Sequence, residues 1–203
     1  MFAKEGYPFI IASALLFIVI LFIPKTIMVT ICLLVLLMML WFFRDPERIS
    51  PHEADAVVSA ADGKVVEISE AIIDGKKYKK VSVFMNLFSV HVNRAPYAGT
   101  VSAVRHIAGT FLPADKPEAS AQNERNEIHI NTPKGKIIAV QVAGLVARRT
   151  VSYVEEGSSV TKGDRIGMIK FSSRVDHYLP MTAHVVVLLD DKVKAGESII
   201  ARM

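Results

Sequence analysis

The sequence has a single cysteine, Cys32, so an intramolecular disulfide and a cysteine-built zinc site are both excluded. Charge is nearly missing from one end. Residues 1–43 carry only Lys4, Glu5 and Lys25, whereas the remainder carries the ordinary globular proportion. H-E-x-x-H, G-x-S-x-G, a P-loop and G-x-G-x-x-G are all absent, which removes the usual signatures of metallopeptidases, hydrolases, kinases and dinucleotide enzymes. The histidines (His52, His91, His106, His129, His177 and His184) fall in no metal-ligand spacing, so no metal site is expected. No basic stripe alternates with aromatics, and no nucleic-acid partner is expected from a net charge of only +4.

What is present divides into two parts. The mean hydropathy of +0.35 is high for a soluble domain, and the excess lies in the uncharged runs Pro8–Ile23 and Thr26–Phe43. Each is close to the ~20 apolar residues that a membrane span needs. No A-x-A-like cleavage site follows, and the second run begins at once, which argues against a signal peptide. The pattern predicts a membrane-associated helical hairpin over residues 1–43, turning at Pro24-Lys25. Trp41-Phe42-Phe43 followed by Arg44 and Arg48 reads as an interfacial boundary with the basic, cytoplasmic side next to it.

Residues 44–203 read as one mainly β domain. Short β-branched or alternating runs occur at Val57–Ser59, Lys64–Ile68, Lys80–Phe84, Ile128–Ile130, Ile137–Val142, Arg165–Ile169 and His184–Leu189. Turn signals such as Asp62-Gly63, Asp74-Gly75 and Lys162-Gly163 separate them. That spacing predicts a barrel or sandwich. The rhythm of Val154–Ile169 is similar to that of biotinyl/lipoyl-type barrels. Their carrier tripeptides, Met-Lys-Met and Asp-Lys-Ala, are missing, so a swinging-arm carrier is disfavoured. Leu87–Val92 is the place for a short helical turn, and Leu112–Asn123 reads as a long loop.

Five segments in order carry a resemblance. They are Phe42-Phe43-Arg44-Asp45-Pro46-Glu47-Arg48, Ala61-Asp62-Gly63, Val90-His91-Val92-Asn93-Arg94-Ala95-Pro96, Asn123-Glu124-Arg125, and Lys170–Pro180 with its Ser172-Ser173-Arg174-Val175-Asp176 core. Together they resemble the phosphatidylserine decarboxylases, pyruvoyl-dependent proenzymes, and the length matches the short bacterial and archaeal branch. The resemblance implies self-cleavage between Ser172 and Ser173 into a large and a small chain. Ser173 would become the pyruvoyl group that takes the substrate amine as a Schiff base, with neither PLP nor a metal. Decarboxylation leaves a carbanion that needs such an electron sink.

By the same resemblance His91 is the candidate proton-transfer group, with Asp62 as its orienter or as a second acid. Arg94 and Arg44 are candidates for the lipid phosphate, as are Arg48, Arg148 and Arg149. The implied substrate is a serine phospholipid at the cytoplasmic face of the cell membrane, and a homodimer is compatible with it.

The sequence departs from the family pattern twice. Ser172 stands where the family usually has glycine, which tolerates strained backbone at the attacked carbonyl. Arg94 stands where longer members carry a second histidine. A rival Gly157-Ser158 pair lacks the Arg-Val-Asp sequel. Two other readings stand beside the first: a decarboxylase of another serine phospholipid, such as an archaeal ether lipid, and a non-catalytic membrane-tethered barrel in which Ser172 blocks processing.

Overall fold

The computed structural model describes residues 1–22, 25–113, 118–144, 150–170 and 173–203. Ser172, Pro24, Arg148 and Arg149 lie outside the described residues. The chain divides into two compact units, Met1–Glu47 and Arg48–Met203.

The first unit is a pair of packed apolar helices, α1 (Tyr7–Leu21) and α2 (Thr26–Phe42). Its two ends meet: the Ala3 N–H donates to the Phe43 carbonyl at 2.9 Å, and the Asp45 N–H to that of Met1 at 2.8 Å. Phe9 stacks on Phe43 with ring centroids 5.4 Å apart. Leu15, Leu16, Ile18, Val19, Leu34 and Leu37 are all about half exposed or more. A helix apolar all round is suited to a lipid environment rather than to water. Among the described residues one helical segment, Lys4–Leu21, is long and apolar enough to cross a membrane. Helix α2, 17 residues long, reaches only about 26 Å at 1.5 Å per residue.

The second unit is mainly β. Its strands are β1 (Ala56–Val58), β2 (Gly63–Ile73), β3 (Lys76–Met85), β4 (Val92–Arg94), β5 (Gly99–Ile107), β6 (Arg125–Thr132), β7 (Gly135–Val142), β8 (Thr150–Ser152), β9 (Ser159–Val160), β10 (Arg165–Ile169), β11 (Ser173–Pro180), β12 (His184–Val185), β13 (Lys192–Val193) and β14 (Ile199–Arg202). Among the described residues eight of them form one sheet in the order β13-β2-β3-β11-β7-β6-β5-β9, curled into a half-barrel. Two three-stranded sheets, β4-β10-β8 and β1-β14-β12, complete the unit. The expected mainly β architecture is present as this open half-barrel.

Local chemistry sets the register. Asp74 and Gly75 both have positive φ (49° and 73°), the two-residue turn that suits the twist of a hairpin, and it pairs Ile73 with Lys76. Alternation then sorts the faces of β11. Val175 and Leu179 enter a core with Val65, Val81, Val83, Met85 and Ile137. Tyr178 joins Tyr78, Ile138, Val140, Val142 and Ala119 on the other face.

The structure differs from expectation in three places. Leu87–Val92 holds a turn and the start of strand β4 rather than helix. The run at His184 stays in strand only to Val185. The Leu112–Asn123 segment contains a one-turn helix, α3 (Ala119–Gln122).

Candidate active site

Strand β11 is central, paired with β3 on one side and β7 on the other. Its first residue is Ser173, wholly buried and opposite Met85. The Ser173 hydroxyl points at the Met85 sulfur, with Oγ 3.5 Å from Sδ. Asn93 Nδ2 approaches the same sulfur at 3.8 Å. Asn93 Oδ1 accepts from Gln141 Nε2 at 2.8 Å, and Gln141 Oε1 accepts from Asn126 Nδ2 at 3.0 Å. Five buried side chains on strands β11, β3, β4, β7 and β6 thus form one polar chain inside an apolar interior. Each amide there finds a partner, which is the condition for burying it without a large desolvation penalty. Gly167 on β10 makes room for it, because a Cβ there would lie 2.6 Å from Gln141 Nε2.

His91 immediately precedes β4, two residues before Asn93, and is also wholly buried. Its Nδ1 lies 2.9 Å from the Ser89 carbonyl. A carbonyl can only accept, so Nδ1 carries the proton and the neutral ring keeps Nε2 as its basic atom. The His91 carbonyl in turn accepts the Ile169 N–H at 3.3 Å. Ile169 precedes Ser173 by four residues, at most about 14 Å of extended chain. The fold therefore brings the histidine segment beside the strand end that leads into the Ser172-Ser173 bond.

The Asp62-Gly63 turn forms a neighbouring wall. A Cβ on Gly63 would meet the Phe84 carbonyl oxygen at 2.0 Å, so β2 and β3 approach this closely only with glycine there. Asp62 receives both Arg48 Nη2 (2.9 and 3.2 Å) and the Ala195 N–H (2.7 Å). His91 Nδ1 faces the Ser89 carbonyl, while Asp62 holds Arg48 and the Ala195 N–H. The two segments still share a cleft of about 500 Å³, whose lining includes Asp62, Lys64, Phe84, Asn86, Ser89 and Lys192.

A profile of the phosphatidylserine decarboxylase family matches residues 35–201. The chain is 44% identical over 201 residues to the phosphatidylserine decarboxylase proenzyme of Syntrophus aciditrophicus, covering 97% of this chain and 94% of that one. It is also 44% identical over 206 residues to the proenzyme of Desulfotalea psychrophila (99% and 96%), and 42% over 213 residues to that of Magnetococcus marinus (99% and 94%). This chain belongs to the phosphatidylserine decarboxylase family. The family is one of carboxy-lyases, and the expected enzyme class holds.

The other residues singled out in this phosphatidylserine decarboxylase relative are placed as follows. Arg94 is buried and donates through Nη1 to the Gly163 carbonyl at 2.8 Å, with its stem against Gly196. Arg44 lies in the helical unit, over the Trp41 ring at 4.2 Å and donating to the Trp41 carbonyl. Asn123 is a brace: its amide holds both backbone groups of Leu112 at 2.8 Å and the Ala143 carbonyl at 2.7 Å.

Two features escaped sequence reasoning. His177 is buried, accepting the Ala60 N–H on Nε2 (2.7 Å) and donating from Nδ1 to the Val81 carbonyl (2.9 Å), so it clips the turn before Asp62 onto β11. Burial pushes its pKa from 6.5 down to about 4, against the opposing pull of the Val81 carbonyl and of Asp176. The unfolded chain therefore takes up this proton first as pH falls. Stability is complete above the unfolded value and declines toward pH 4, by up to about 3 kcal/mol. Urea unfolding of the wild type at neutral pH and near pH 4 is expected to show this loss, and His177→Gln to lack this component of it.

The second is a buried charge cluster on the opposite face of β11. Arg174 Nε meets Asp176 at 2.6 Å, and Nη2 reaches Glu67 and, at 2.7 Å, Ser82. Lys80 Nζ adds contacts to Glu67 at 3.0 Å and Asp176 at 3.8 Å. Burial opposes ionisation of Asp176, but the Arg174 and Lys80 charges outweigh it and hold the carboxyl below its usual range. The i, i+2 spacing of Arg174 and Asp176 put both on one strand face, a signal visible only once the segment is read as strand.

Proposed function

We propose that this chain converts phosphatidylserine to phosphatidylethanolamine after cutting itself between Ser172 and Ser173. One observation carries the reading beyond family membership: Ser173 opens a central strand, next to the segment that holds His91. Processing begins when the Ser173 hydroxyl loses its proton and attacks the Ser172 carbonyl, turning the amide into an ester and freeing the Ser173 nitrogen as an amine. Loss of the Ser173 α-proton then expels the Ser172 carboxylate, which ends the large chain, and leaves a dehydroalanine. Addition of water and departure of ammonia yield the pyruvoyl group at the head of the small chain.

The residues present fit that group. Its precursor heads β11 paired with Met85, and the next residue, Arg174, is paired on both sides with Phe84 and Val142, so the cut end stays in register. The Met85 sulfur and, behind it, the Asn93 amide lie in the buried chain beside it. When formed, it supplies a carbonyl that accepts the electrons released with CO2. His91, with Nδ1 fixed by Ser89, holds and returns a proton at Nε2, first in processing and then at the decarboxylated carbon. Asp62, on the cleft wall and held by Arg48 and the Ala195 N–H, serves as the second acid of the site. The apolar hairpin of residues 1–43 holds the enzyme on the cytoplasmic face of the membrane, where a two-tailed substrate resides.

His91→Gln is expected to slow processing at least ~100-fold, the usual scale for a general acid or base. Incubating the purified precursor and following the appearance of two chains by mass measures this. Normal processing together with normal turnover would remove His91 from the mechanism. A lipid assay comparing serine phospholipids of ester and ether backbones tests the substrate.

A further inference from the structure

Between Met85, which touches Ser173, and His91 lies a tight turn with an unusual tip. Asn86 Oδ1 accepts the Phe88 N–H at 2.9 Å and the Ser89 hydroxyl at 3.3 Å, while the Ser89 N–H returns to the Asn86 carbonyl at 3.0 Å. This side-chain-closed turn fixes the backbone and presents Leu87 and Phe88 outward, 50% and 74% exposed. Single exposed apolar residues need no explanation, but two large neighbours on a rigid tip do. Phe88 also lines the mouth of the 500 Å³ cleft that contains Asp62, together with Lys64, Lys192 and Lys194.

The charged residues that line that mouth are three lysines and Asp62. Lys64 pairs with Asp190 at 2.7 Å and Lys194 approaches Glu197 at 3.9 Å, both at exposed or half-exposed positions where pairs are weak. Asp62 is matched by Arg48. Among the described residues Lys192 has no carboxylate partner. An apolar tip flanked by lysines is complementary to a bilayer with anionic headgroups: rings and branched chains enter the acyl boundary, and ammonium groups stay at the phosphates.

We infer that the Leu87–Phe88 tip and the lysines beside it dock the catalytic unit itself onto an anionic lipid surface, independently of the N-terminal helices, so that the cleft opens into the headgroup layer. The inference rests on the proposed lipid substrate for its purpose, but its test needs no catalysis. Trp41 is the sole tryptophan, so Phe88→Trp in a Trp41→Phe background gives the full-length chain one indole, at the tip. Reconstituted into vesicles of phosphatidylcholine and phosphatidylglycerol in equal parts, that indole is expected to be quenched several-fold more by lipids brominated on the acyl chains than by aqueous iodide. Leu87→Trp, in the same background, provides a second probe at a half-exposed site and is expected to give the same ordering.

Free access of iodide with no quenching by bromolipid, in both variants, would overturn the docking surface. So would an emission shift that follows protein concentration in detergent and ignores lipid, because the tip would then bind a second copy. If the quenching is as expected but the chain never cleaves itself, the surface stands and the proposed reaction falls.

Discussion

Replacing Ser173 by alanine leaves the protein as one chain of 22.4 kDa and abolishes decarboxylation. The hydroxyl is the only group on that residue able to attack the preceding carbonyl. The fold should not suffer. Ser173 makes its backbone pairing with Met85 whatever its side chain, and among the described residues its hydroxyl meets a thioether, a weak acceptor. Thermal unfolding of Ser173→Ala should therefore match that of an uncleaved wild-type precursor, while mass analysis shows no small chain. A Ser173→Ala protein that still divides at this bond would mean another nucleophile does the cutting.

Asp176→Ala is the substitution with the largest expected effect on stability. Arg174 and Asp176 are both essentially inaccessible to solvent, and the Asp176 carboxylate takes the Arg174 Nε at 2.6 Å. Removing the carboxylate leaves the guanidinium buried with Glu67, which must also serve Lys80. Breaking one partner of a buried pair typically costs about 3–5 kcal/mol, since the remaining charge has no water. For a chain of this size that is a fall in Tm of roughly 10 °C. Replacing both ends, as in Arg174→Met with Asp176→Leu, should recover much of the loss because no charge is then stranded. The cluster lies one residue from the cut, so Asp176→Ala should also loosen the head of the small chain. Calorimetry of the single and double variants separates the charge effect from simple loss of packing.

How far the sequence could be read depends on whether the information was local. The helical pair was legible because three charges in 43 residues leave little else for it to be. The Asp74-Gly75 hairpin was legible because its turn chemistry is written in two adjacent residues. Strand β11 was not. Ser173-Arg174 carries no local strand pattern, and its place in a central strand is set by Met85 and Val142, which are far away in the chain. Motif order brought out Ser173, His91 and Asp62 before any geometry.

Motif order could not bring out Met85, Gln141 or Asn126, which are tied to the site only by contacts across strands. Asn93 lay inside a quoted segment but had no evident partner there. Arg94 read as a surface candidate for phosphate because nothing local reveals that Gly163 and Gly196 enclose it. His177 was one histidine among six until the Ala60 N–H and Val81 carbonyl gave it a fixed tautomer.

The central claim is that this chain is a precursor which makes its own catalytic group from Ser173, despite Ser172 in the preceding position. Intact-mass analysis of the protein purified from cells tests it most directly. The expected result is two chains meeting between Ser172 and Ser173. The small one should be lighter by one ammonia than a fragment beginning with unmodified serine, and should carry a terminal carbonyl that reacts with hydrazines. A single full-length mass that persists on incubation, or a small chain beginning with an ordinary serine amine, would contradict it.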